Sequence, residues 1–415
     1  MPDQPINQAT GQRPSNRATD QRTIRIGVDA TCWTQRRGYG RQLRGLITAA
    51  AQLSPQHHFV LFSDLAGENA FPFPESCEVV AVATGRPTLQ AARADGARSL
   101  SDMWALGCAM SVAELDVLLF PTIYSWVPTW TAAPKLLMIH DVIAERFPRH
   151  IFPSLGGRVR WRLKSMLGLA QADFVLTVSE YSRRALARQF GLPAQSIAVV
   201  GEAPDPVFRQ CQDAELPQRL GALGLQQNSR IIAYVGGFGP HKNLYRLLDA
   251  FAKVALEPRF ADVTLALTGE NASEAFFSEH ARLRRRVKEL GLGAQAVFTG
   301  YLADEELVAL LNRSAFLALP SLMEGYGLPA VEAAACGLPV LVTRNSPIPE
   351  LLGDGAMAVD PDRTEEIYRG MIRLLDDGEL RARMGKAGRV AAEKLTWAQA
   401  GRELLRLVEG VIAAR

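Results

Sequence analysis

Residues 317–343 read LALPSLMEGYGLPAVEAAACGLPVLVT, and this stretch carries the most informative pattern in the chain. A short apolar strand precedes a glycine-rich loop, which is followed by a short helix and a second apolar strand. Pro329 suits the first helical turn, and Gly337 suits the left-handed position just past the helix end. The pattern predicts one strand–loop–helix–strand unit of an α/β protein.

The same alternation extends along most of the chain. Near-continuous apolar runs such as TIRIGVDA and HHFVLFSD alternate with helical periodicity from residue 23 onward, and the pattern restarts at RIIAYVGG. Strands of this kind are typical of parallel sheets that helices cover on both faces. We therefore predict an α/β fold of two doubly wound, Rossmann-like domains that face each other across a cleft.

A proline-containing, loop-like segment near 205–228 separates the predicted domains. We place the first domain at 22–205 and the second at 206–395. Residues 1–21 are polar and predict a disordered tail. Residues 396–415 predict an amphipathic helix whose apolar stripe needs a surface to cover; either domain could provide it, and we place the helix on the first.

Composition narrows the function classes. The 415 residues include 46 Lys and Arg against 43 Asp and Glu, and 48% are hydrophobic. These values exclude a wholly disordered chain and a polytopic membrane protein, and the charge balance gives no reason to expect nucleic acid as a partner. Five scattered cysteines without CxxC spacing argue against a disulfide framework or a zinc site, which fits a reducing cytoplasm.

No export signal is evident near the start of the sequence, because the first twenty residues lack an apolar core region. No window approaches the roughly 18 uninterrupted apolar residues that a membrane span requires. We therefore expect a cytoplasmic protein whose membrane contact, if it has any, is peripheral at the inner face.

The glycine-rich loop predicts an anion site. Gly325 and Gly327 allow the backbone to turn tightly and approach a ligand, and the helix behind them offers free N–H groups. Glu324 and Glu332 place a carboxylate on each side of the proposed phosphate position. Carboxylates accept hydroxyl hydrogen bonds in pairs, which suits the diols of ribose and of a hexose. The pattern favours a sugar nucleotide, whereas an isolated pair of this kind would be solvated surface charges.

This stretch resembles the retaining GT-B glycosyltransferases of family 4, the large group that includes bacterial mannosyltransferases and glycogen synthase. The family signature is Glu, seven residues and Glu within an EGFGLP-type loop, which Glu324 and Glu332 match. The resemblance covers about 23–415. It is carried further by YVGGFGPHKNLYRLLDAF, by the pair His140-Asp141, by VSEYSRRAL at 178–186 and by SPIPELLGDGAMAVDP.

The resemblance implies a role for each matching residue. Glu332 would bind the ribose hydroxyls, Glu324 the transferred sugar, and His140 a hydroxyl of that sugar near the reacting carbon, so Glu324 and His140 are the catalytic candidates. The donor phosphates would lie against Gly38, Gly40, Arg41, Gly237, Lys242, Gly325, Tyr326, Gly327 and Leu328. Many relatives have Arg where this chain has Gly237, so Lys242, backbone N–H groups and Arg41 would have to balance the phosphate charge.

Structural interpretations stand beside these roles. His140 at a strand end is more often a structural hydrogen-bonding group, Asp141 suits a turn cap, and Lys242 could be a solvated lysine at a helix start. The GGFGPHKN loop is not a P-loop, because GK followed by Ser or Thr is absent. Leu43 occupies the third glycine position of a GxGxxG motif after Gly38, which disfavours a dinucleotide oxidoreductase.

Residues 146–164 concentrate basic side chains with Phe147, Phe152 and Trp161. Such a segment could contact anionic lipid or a lipid-linked acceptor. A solvated helix with an apolar face explains the same composition.

We therefore expect a retaining transferase that moves a hexosyl unit from a UDP- or GDP-sugar to the hydroxyl of a glycan, lipid-linked or small-molecule acceptor, in polysaccharide, glycolipid or glycoconjugate synthesis. The HKN and PExxGD segments resemble those of the mannosyltransferase branch of the family and favour a mannosyltransferase. No metal and no further cofactor are expected, and Asp360-Pro361-Asp362 reads as a turn. A hydrolase or epimerase of the same fold and a non-catalytic sugar-nucleotide-binding partner are the alternatives, and the oligomeric state is open.

Overall fold

The computed structural model describes residues 23–36, 38–64, 71–85, 98–212, 215–269 and 278–415. The tail expected at 1–21 lies outside the described residues. Within those residues, thirteen strands form two sheets in which every pair of neighbouring strands is parallel. The predicted pair of doubly wound α/β domains is confirmed.

The first sheet has the strand order β3-β2-β1-β4-β5-β6-β7. Its strands are β1 (Arg25–Asp29), β2 (His58–Ser63), β3 (Glu78–Ala81), β4 (Val117–Phe120), β5 (Lys135–Met138), β6 (Phe174–Thr177) and β7 (Ile197–Val199). The helices between them are α1 (Gly38–Leu53), α2 (Leu100–Val112), α3 (Ile143–Arg146), α4 (Pro148–Ile151), α5 (Leu155–Gln171) and α6 (Glu180–Phe190). Ser99, Ser154 and Ser179 cap α2, α5 and α6 by accepting a backbone N–H.

The second sheet has the strand order β10-β9-β8-β11-β12-β13. Its strands are β8 (Arg230–Val235), β9 (Val263–Thr268), β10 (Ala296–Gly300), β11 (Ser314–Leu319), β12 (Val340–Thr343) and β13 (Ala356–Val359). The helices of this half are α7 (Gln218–Ala222), α8 (Leu244–Ala255), α9 (His280–Glu289), α10 (Asp304–Arg313), α11 (Leu328–Ala335), α12 (Ile348–Leu352), α13 (Thr364–Asp376) and α14 (Gly378–Ala392). Every residue of β9 and β12 is buried, as expected for strands covered on both faces.

The last helix, α15 (Trp397–Ala413), returns to the first half of the chain and packs on α1. The approach is close because both helices carry a glycine at the contact. A Cβ at Gly45 would come within 2.4 Å of the Trp397 ring, and a Cβ at Gly401 would come within 3.0 Å of the Ala50 nitrogen. The helix therefore ties the end of the chain to the first sheet.

The order of strands reverses at two points that position the site. In the first sheet, β1 lies between β2 and β4, and in the second sheet β8 lies between β9 and β11. Open α/β sheets bind ligands outside the carboxyl ends of strands at such points. Loops from the carboxyl ends of both sheets line one cleft.

Helix α5 contains part of the basic segment at 146–164, and two of the aromatic residues of that segment are buried. Its buried face consists of Gly157, Trp161, Ser165 and Gly168. Trp161 packs against Phe152, and its Nε1 donates to a Glu145 carboxylate oxygen at 2.8 Å. Both aromatic residues therefore face the interior. The exposed side carries aliphatic residues instead: Leu155, Val159, Leu163, Met166 and Leu167. In the described part of the chain, no helix is long and apolar enough to cross a membrane.

Candidate active site

The loop between β11 and α11 brings a carboxylate and a helix start to the cleft. Gly327 has φ +93°, and a Cβ there would meet Ile348 at 2.5 Å, so this turn requires glycine. A Cβ at Gly325 would lie 2.7 Å from the carbonyl oxygen of His140, which follows strand β5 of the first sheet. Helix α11 begins directly after the turn, with Pro329 in its first turn as predicted. Glycine thus allows the loop of one half to contact the strand end of the other.

Lys242 and Glu324 form an ion pair inside the cleft. The Nζ of Lys242 lies 2.8 Å from Oε1 of Glu324, which also accepts a bond from the Ser321 hydroxyl at 2.5 Å. Lys242 ends a 3-10 turn, Pro240–Lys242, and the next residue, Asn243, has φ +61°. The Asn243 amide donates to the carbonyls of Pro320 and Pro361 at 2.9 and 2.7 Å, which fixes the turn against the neighbouring strand ends. The amine is held where an anion could reach it.

Arg41 links the first half to the buried Glu332. Its guanidinium lies 2.6 Å from Asp304 and 3.4 Å from Oε1 of Glu332. Burial raises the pKa of Glu332 to about 7, although Arg41 opposes the shift and Asp304 adds to it. Residues 38–41 form the first turn of α1. Arg41 therefore points from a helix, and its partners are carboxylates of the second half.

His140 follows β5 and is buried beside an aromatic ring. Its ring meets that of Tyr39 edge-on, with centroids 4.8 Å apart. Neither ring nitrogen has a hydrogen-bond partner among the described residues, and burial lowers the pKa of His140 to about 3. Asp141 caps the following turn, as expected, by accepting the Ile143 N–H at 2.8 Å. Its pKa is raised to about 6, chiefly by burial.

These groups share one interdomain cleft of about 350 Å³. The predicted residues that line it are Gly38, Arg41, His140, Gly237, Lys242, Glu324, Gly325, Tyr326, Gly327, Leu328 and Glu332. Gly40 is different, because a Cβ there would lie 2.0 Å from the carbonyl oxygen of Gln35. It packs at the start of α1 and is not among the described residues that line the cleft, so its contact with phosphate stays a prediction.

Two family models match the chain, one in each half. The model described as Glycosyltransferase Family 4 matches residues 37–206, and the model described as Glycosyl transferases group 1 matches residues 219–391. The chain belongs to the family 4 glycosyltransferases. The resemblance inferred from Glu324, Glu332 and the segments around them is confirmed.

Curated relatives of the family 4 chain include two mannosyltransferases. O-antigen chain mannosyltransferase B of Escherichia coli is 30% identical over 241 residues, which are 58% of this chain and 61% of that protein. MMP alpha-(1->4)-mannosyltransferase of Mycolicibacterium hassiacum is 30% identical over 247 residues, 59% of this chain and 55% of that protein. The alignments therefore span little more than half the length of these relatives.

Solved structures show that the family 4 chain has the GT-B fold. Sucrose-phosphate synthase from Thermosynechococcus elongatus superposes with a TM-score of 0.75 at 20% identity, over 95% of this chain and 100% of that chain. HepE of Anabaena in complex with UDP and glucose gives 0.68 at 19% identity, over 93% of this chain and 100% of that chain. At these identities the likeness concerns the fold.

The cleft of the family 4 chain also contains groups that sequence motifs missed. Asp304 pairs with Arg41, and Glu202 lies 3.8 Å from His140. Neither carboxylate belongs to a motif, and no signal in the sequence singles them out. Among the described residues no group of three or more His, Cys, Asp or Glu is arranged to hold a metal ion. Asp360 and Asp362 form a turn in which the Asp362 N–H donates to the Asp360 carboxylate at 2.9 Å.

Proposed function

We propose that this chain transfers a hexosyl unit from a nucleotide-diphosphate sugar to an acceptor hydroxyl, with retention at the anomeric carbon. The observation that carries the proposal is the convergence of His140, Lys242, Glu324 and Glu332 on one cleft beside a helix start. Such a cleft offers an amine and free N–H groups to a diphosphate, and carboxylates to sugar hydroxyls. Membership of family 4 supports the same activity.

Each group would act on a different part of the donor. Lys242 and the N–H groups at the start of α11 would bind the diphosphate, and Glu332 would accept hydrogen bonds from the ribose hydroxyls. Glu324 would contact the transferred sugar. Arg36 and Arg41 also line the cleft, and they are candidates to balance the phosphate charge in place of the arginine that many relatives have where this chain has Gly237.

The difficult step is departure of the diphosphate. The bond between the anomeric carbon and the phosphate oxygen breaks, the acceptor oxygen forms the new bond on the same face, and its proton passes to the leaving phosphate. Negative charge grows on the diphosphate as the bond breaks, so a fixed ammonium and helix N–H groups stabilise the transition state more than the ground state. No metal is needed for this scheme, and turnover unchanged by EDTA tests that point.

The donor can be identified by binding and turnover together. We propose a UDP- or GDP-hexose, and the two mannosyltransferase relatives favour a mannosyl donor. A panel of UDP- and GDP-sugars should give a thermal shift with one nucleotide series and slow release of free sugar with one donor. The anomeric configuration of the product, measured by NMR coupling constants, should match that of the donor. An inverted product contradicts retention, and no binding to any member of the panel contradicts the proposal.

Alternative activities of the same cleft make different predictions. A hydrolase or an epimerase would convert the sugar nucleotide at full rate without an acceptor, whereas the transferase should be accelerated by one. A non-catalytic binding partner would bind the donor and never turn it over. Acceptor loops vary among such enzymes, so the acceptor could be a glycan, a lipid-linked molecule or a small molecule.

We further propose that the protein is cytoplasmic and that the exposed side of α5 contacts an anionic membrane. Val159 and Leu163 are 60% and 55% exposed, and the exposed Arg160 and Arg162 lie on the same helix. An exposed apolar stripe beside arginines suits the interface of a bilayer with anionic headgroups.

Vesicle binding tests the membrane contact. Wild-type protein should co-sediment with phosphatidylglycerol vesicles at low salt, and a V159E/L163E variant should lose most of that binding. Leu256→Glu is the matched control, because Leu256 is 82% exposed in the second half of the chain and should not matter. Equal binding of both variants, or none by the wild type, contradicts the contact.

A further inference from the structure

Glu202 is a buried carboxyl in the cleft that no motif accounts for. It follows β7 (Ile197–Val199) by three residues, where the chain leaves the first sheet, and its side chain is 5% exposed. The Tyr326 hydroxyl donates to its backbone carbonyl, which anchors the segment to the glycine-rich loop. Its Oε1 lies 3.8 Å from Nε2 of His140. The carboxyl accepts no hydrogen bond in the part of the chain that the structure describes.

The groups that face Glu202 come from several elements, and none of them is a cation. They are His140 and Asp141 after β5, Glu332 on α11, Tyr39 on α1 and Tyr326 before α11. Arg41, which lines the same cleft, is paired with Glu332 and Asp304. A buried carboxylate without a countercharge is costly, and neighbouring carboxylates raise the cost.

Burial, together with Glu332 and Asp141, raises the pKa of Glu202 to about 8. Burial lowers the pKa of His140 to about 3. Both shifts favour a carboxylic acid and a neutral imidazole at neutral pH over an ion pair. A carboxylic acid has one O–H to donate, and a neutral imidazole has one nitrogen that accepts.

We propose that Glu202 is a positioning residue, which donates its O–H to Nε2 of His140 and thereby keeps the ring proton on Nδ1. The present separation is longer than a hydrogen bond by roughly 1 Å, a distance that a small side-chain rotation covers. Both ring nitrogens of His140 are buried without a partner among the described residues. With Nε2 occupied by Glu202, the Nδ1–H is left as the donor for a ligand oxygen.

This assignment matters for the proposed transfer, on which its activity readout rests. A histidine that must donate to a sugar hydroxyl fails if the proton sits on the other nitrogen. Glu202 would set the tautomer without touching the sugar, so its removal should lower kcat more than it raises KM. Loss of one hydrogen bond of this kind corresponds to about a tenfold change.

Nitrogen-15 NMR of the histidine-labelled protein tests the tautomer directly. The His140 signal is identified by its absence in His140→Asn. The wild type at pH 7 should show the Nδ1–H tautomer. Glu202→Gln should keep it, because the amide N–H can donate to Nε2, and Glu202→Ala should shift the ring toward the Nε2–H form. A wild-type ring with its proton on Nε2, or one that Glu202→Ala leaves unchanged, overturns the proposal.

The pH profile of kcat provides the second readout. Wild-type kcat should fall as pH rises through about 8, where Glu202 loses its proton, and Glu202→Gln should lack that alkaline fall. Glu202→Ala should be about tenfold slower at pH 7. A Glu202→Gln profile identical to the wild type contradicts the role even if Glu202→Ala fails to fold. Tautomer shifts as expected without any transfer would leave this assignment standing and overturn the proposed function.

Discussion

The cleft has two edges, one formed by the first sheet and one by the second, and they differ in whether their buried ionisable groups have partners of opposite charge. At the edge of the second sheet, Glu324 has Lys242 at 2.8 Å and Glu332 has Arg41 at 3.4 Å. At the edge of the first sheet, His140 and Glu202 have no such partner, and burial shifts the pKa of each toward its neutral form. Buried charges persist when they are paired and are lost when they are not.

The difference suits two separate functions of the two edges. An edge with paired ions keeps carboxylates that accept hydroxyl groups and an ammonium that can be redirected to phosphate. An edge with neutral groups can donate and accept hydrogen bonds without adding charge beside the reacting sugar. The comparison predicts that substitutions at the second edge act through charge, and that those at the first edge act through proton position.

The largest effect is expected for Glu324→Ala. If Glu324 contacts the transferred sugar, its loss should lower kcat by roughly 10³-fold while nucleotide affinity, measured by calorimetry, stays within about twofold. Glu305→Ala is the matched control, because Glu305 is exposed on α10. Normal turnover of the Glu324 variant would contradict a role of this carboxylate in the transfer step.

Glu332→Ala should act on binding instead. Loss of a carboxylate that holds two ribose hydroxyls should raise the donor dissociation constant by about 10- to 100-fold, with a smaller effect on kcat at saturation. Glu332→Gln, which keeps the shape and one acceptor oxygen, should lie between the wild type and Glu332→Ala. An unchanged dissociation constant in calorimetry contradicts the ribose assignment.

Sequence reasoning found the second edge more completely than the first. The loop around Gly325 and Gly327 could be predicted because glycine, proline and glutamate at fixed spacing reflect backbone geometry that a ligand-binding turn requires. Glu202 and Asp304 belong to no such turn. Their partners, His140 and Arg41, lie 62 and 263 residues away in the sequence. The Arg41–Asp304 pair depends on how the two halves close together, and the His140–Glu202 pair depends on how the first sheet is assembled. Local sequence patterns encode neither.

The strands, like the glycine-rich loop, could be predicted from local sequence patterns. The apolar runs TIRIGVDA, HHFVLFSD and RIIAYVGG contain β1, β2 and β8, because strands buried on both faces leave a strong signal. The buried side of helix α5 could not be predicted from the sequence, because apolar residues occur on both of its sides. Gly157 and Gly168 on the buried side allow close packing there. The inner face therefore carries small residues together with Trp161, and the exposed face carries aliphatic ones.

A change at Arg41 tests how the second edge keeps its charge. Arg41 lowers the pKa of Glu332 against the effect of burial. In Arg41→Ala this pKa should rise above about 7, so the protonated fraction at neutral pH grows and the donor binds more weakly. The loss should be larger at pH 6.5 than at pH 8.5, because a larger share of Glu332 is ionised in both proteins at the higher pH. Arg41→Lys keeps a positive charge and should show less of this dependence; a pH-independent loss in Arg41→Ala contradicts the coupling.

The smallest expected effect concerns stability at the first edge. The pKa of Glu202 is raised from 4.5 to about 8 in the folded protein. Between those values the unfolded chain has lost a proton that the folded protein keeps, so this residue makes stability fall as pH rises. Glu202→Gln removes that contribution. The melting temperature of the variant minus that of the wild type should therefore increase by a few degrees from pH 5 to pH 8, and it should stay constant above pH 8.

Buried carboxyls that are not coupled to Glu202, such as Glu145 with its raised pKa of about 7, contribute equally to both proteins and cancel in the difference. Glu305→Gln, at an exposed position, should give a difference that does not change with pH. A flat difference for Glu202→Gln would mean that Glu202 is ionised in the folded protein at neutral pH. The two edges of the cleft would then keep charge in the same way, and the neutral pair with His140 would not exist.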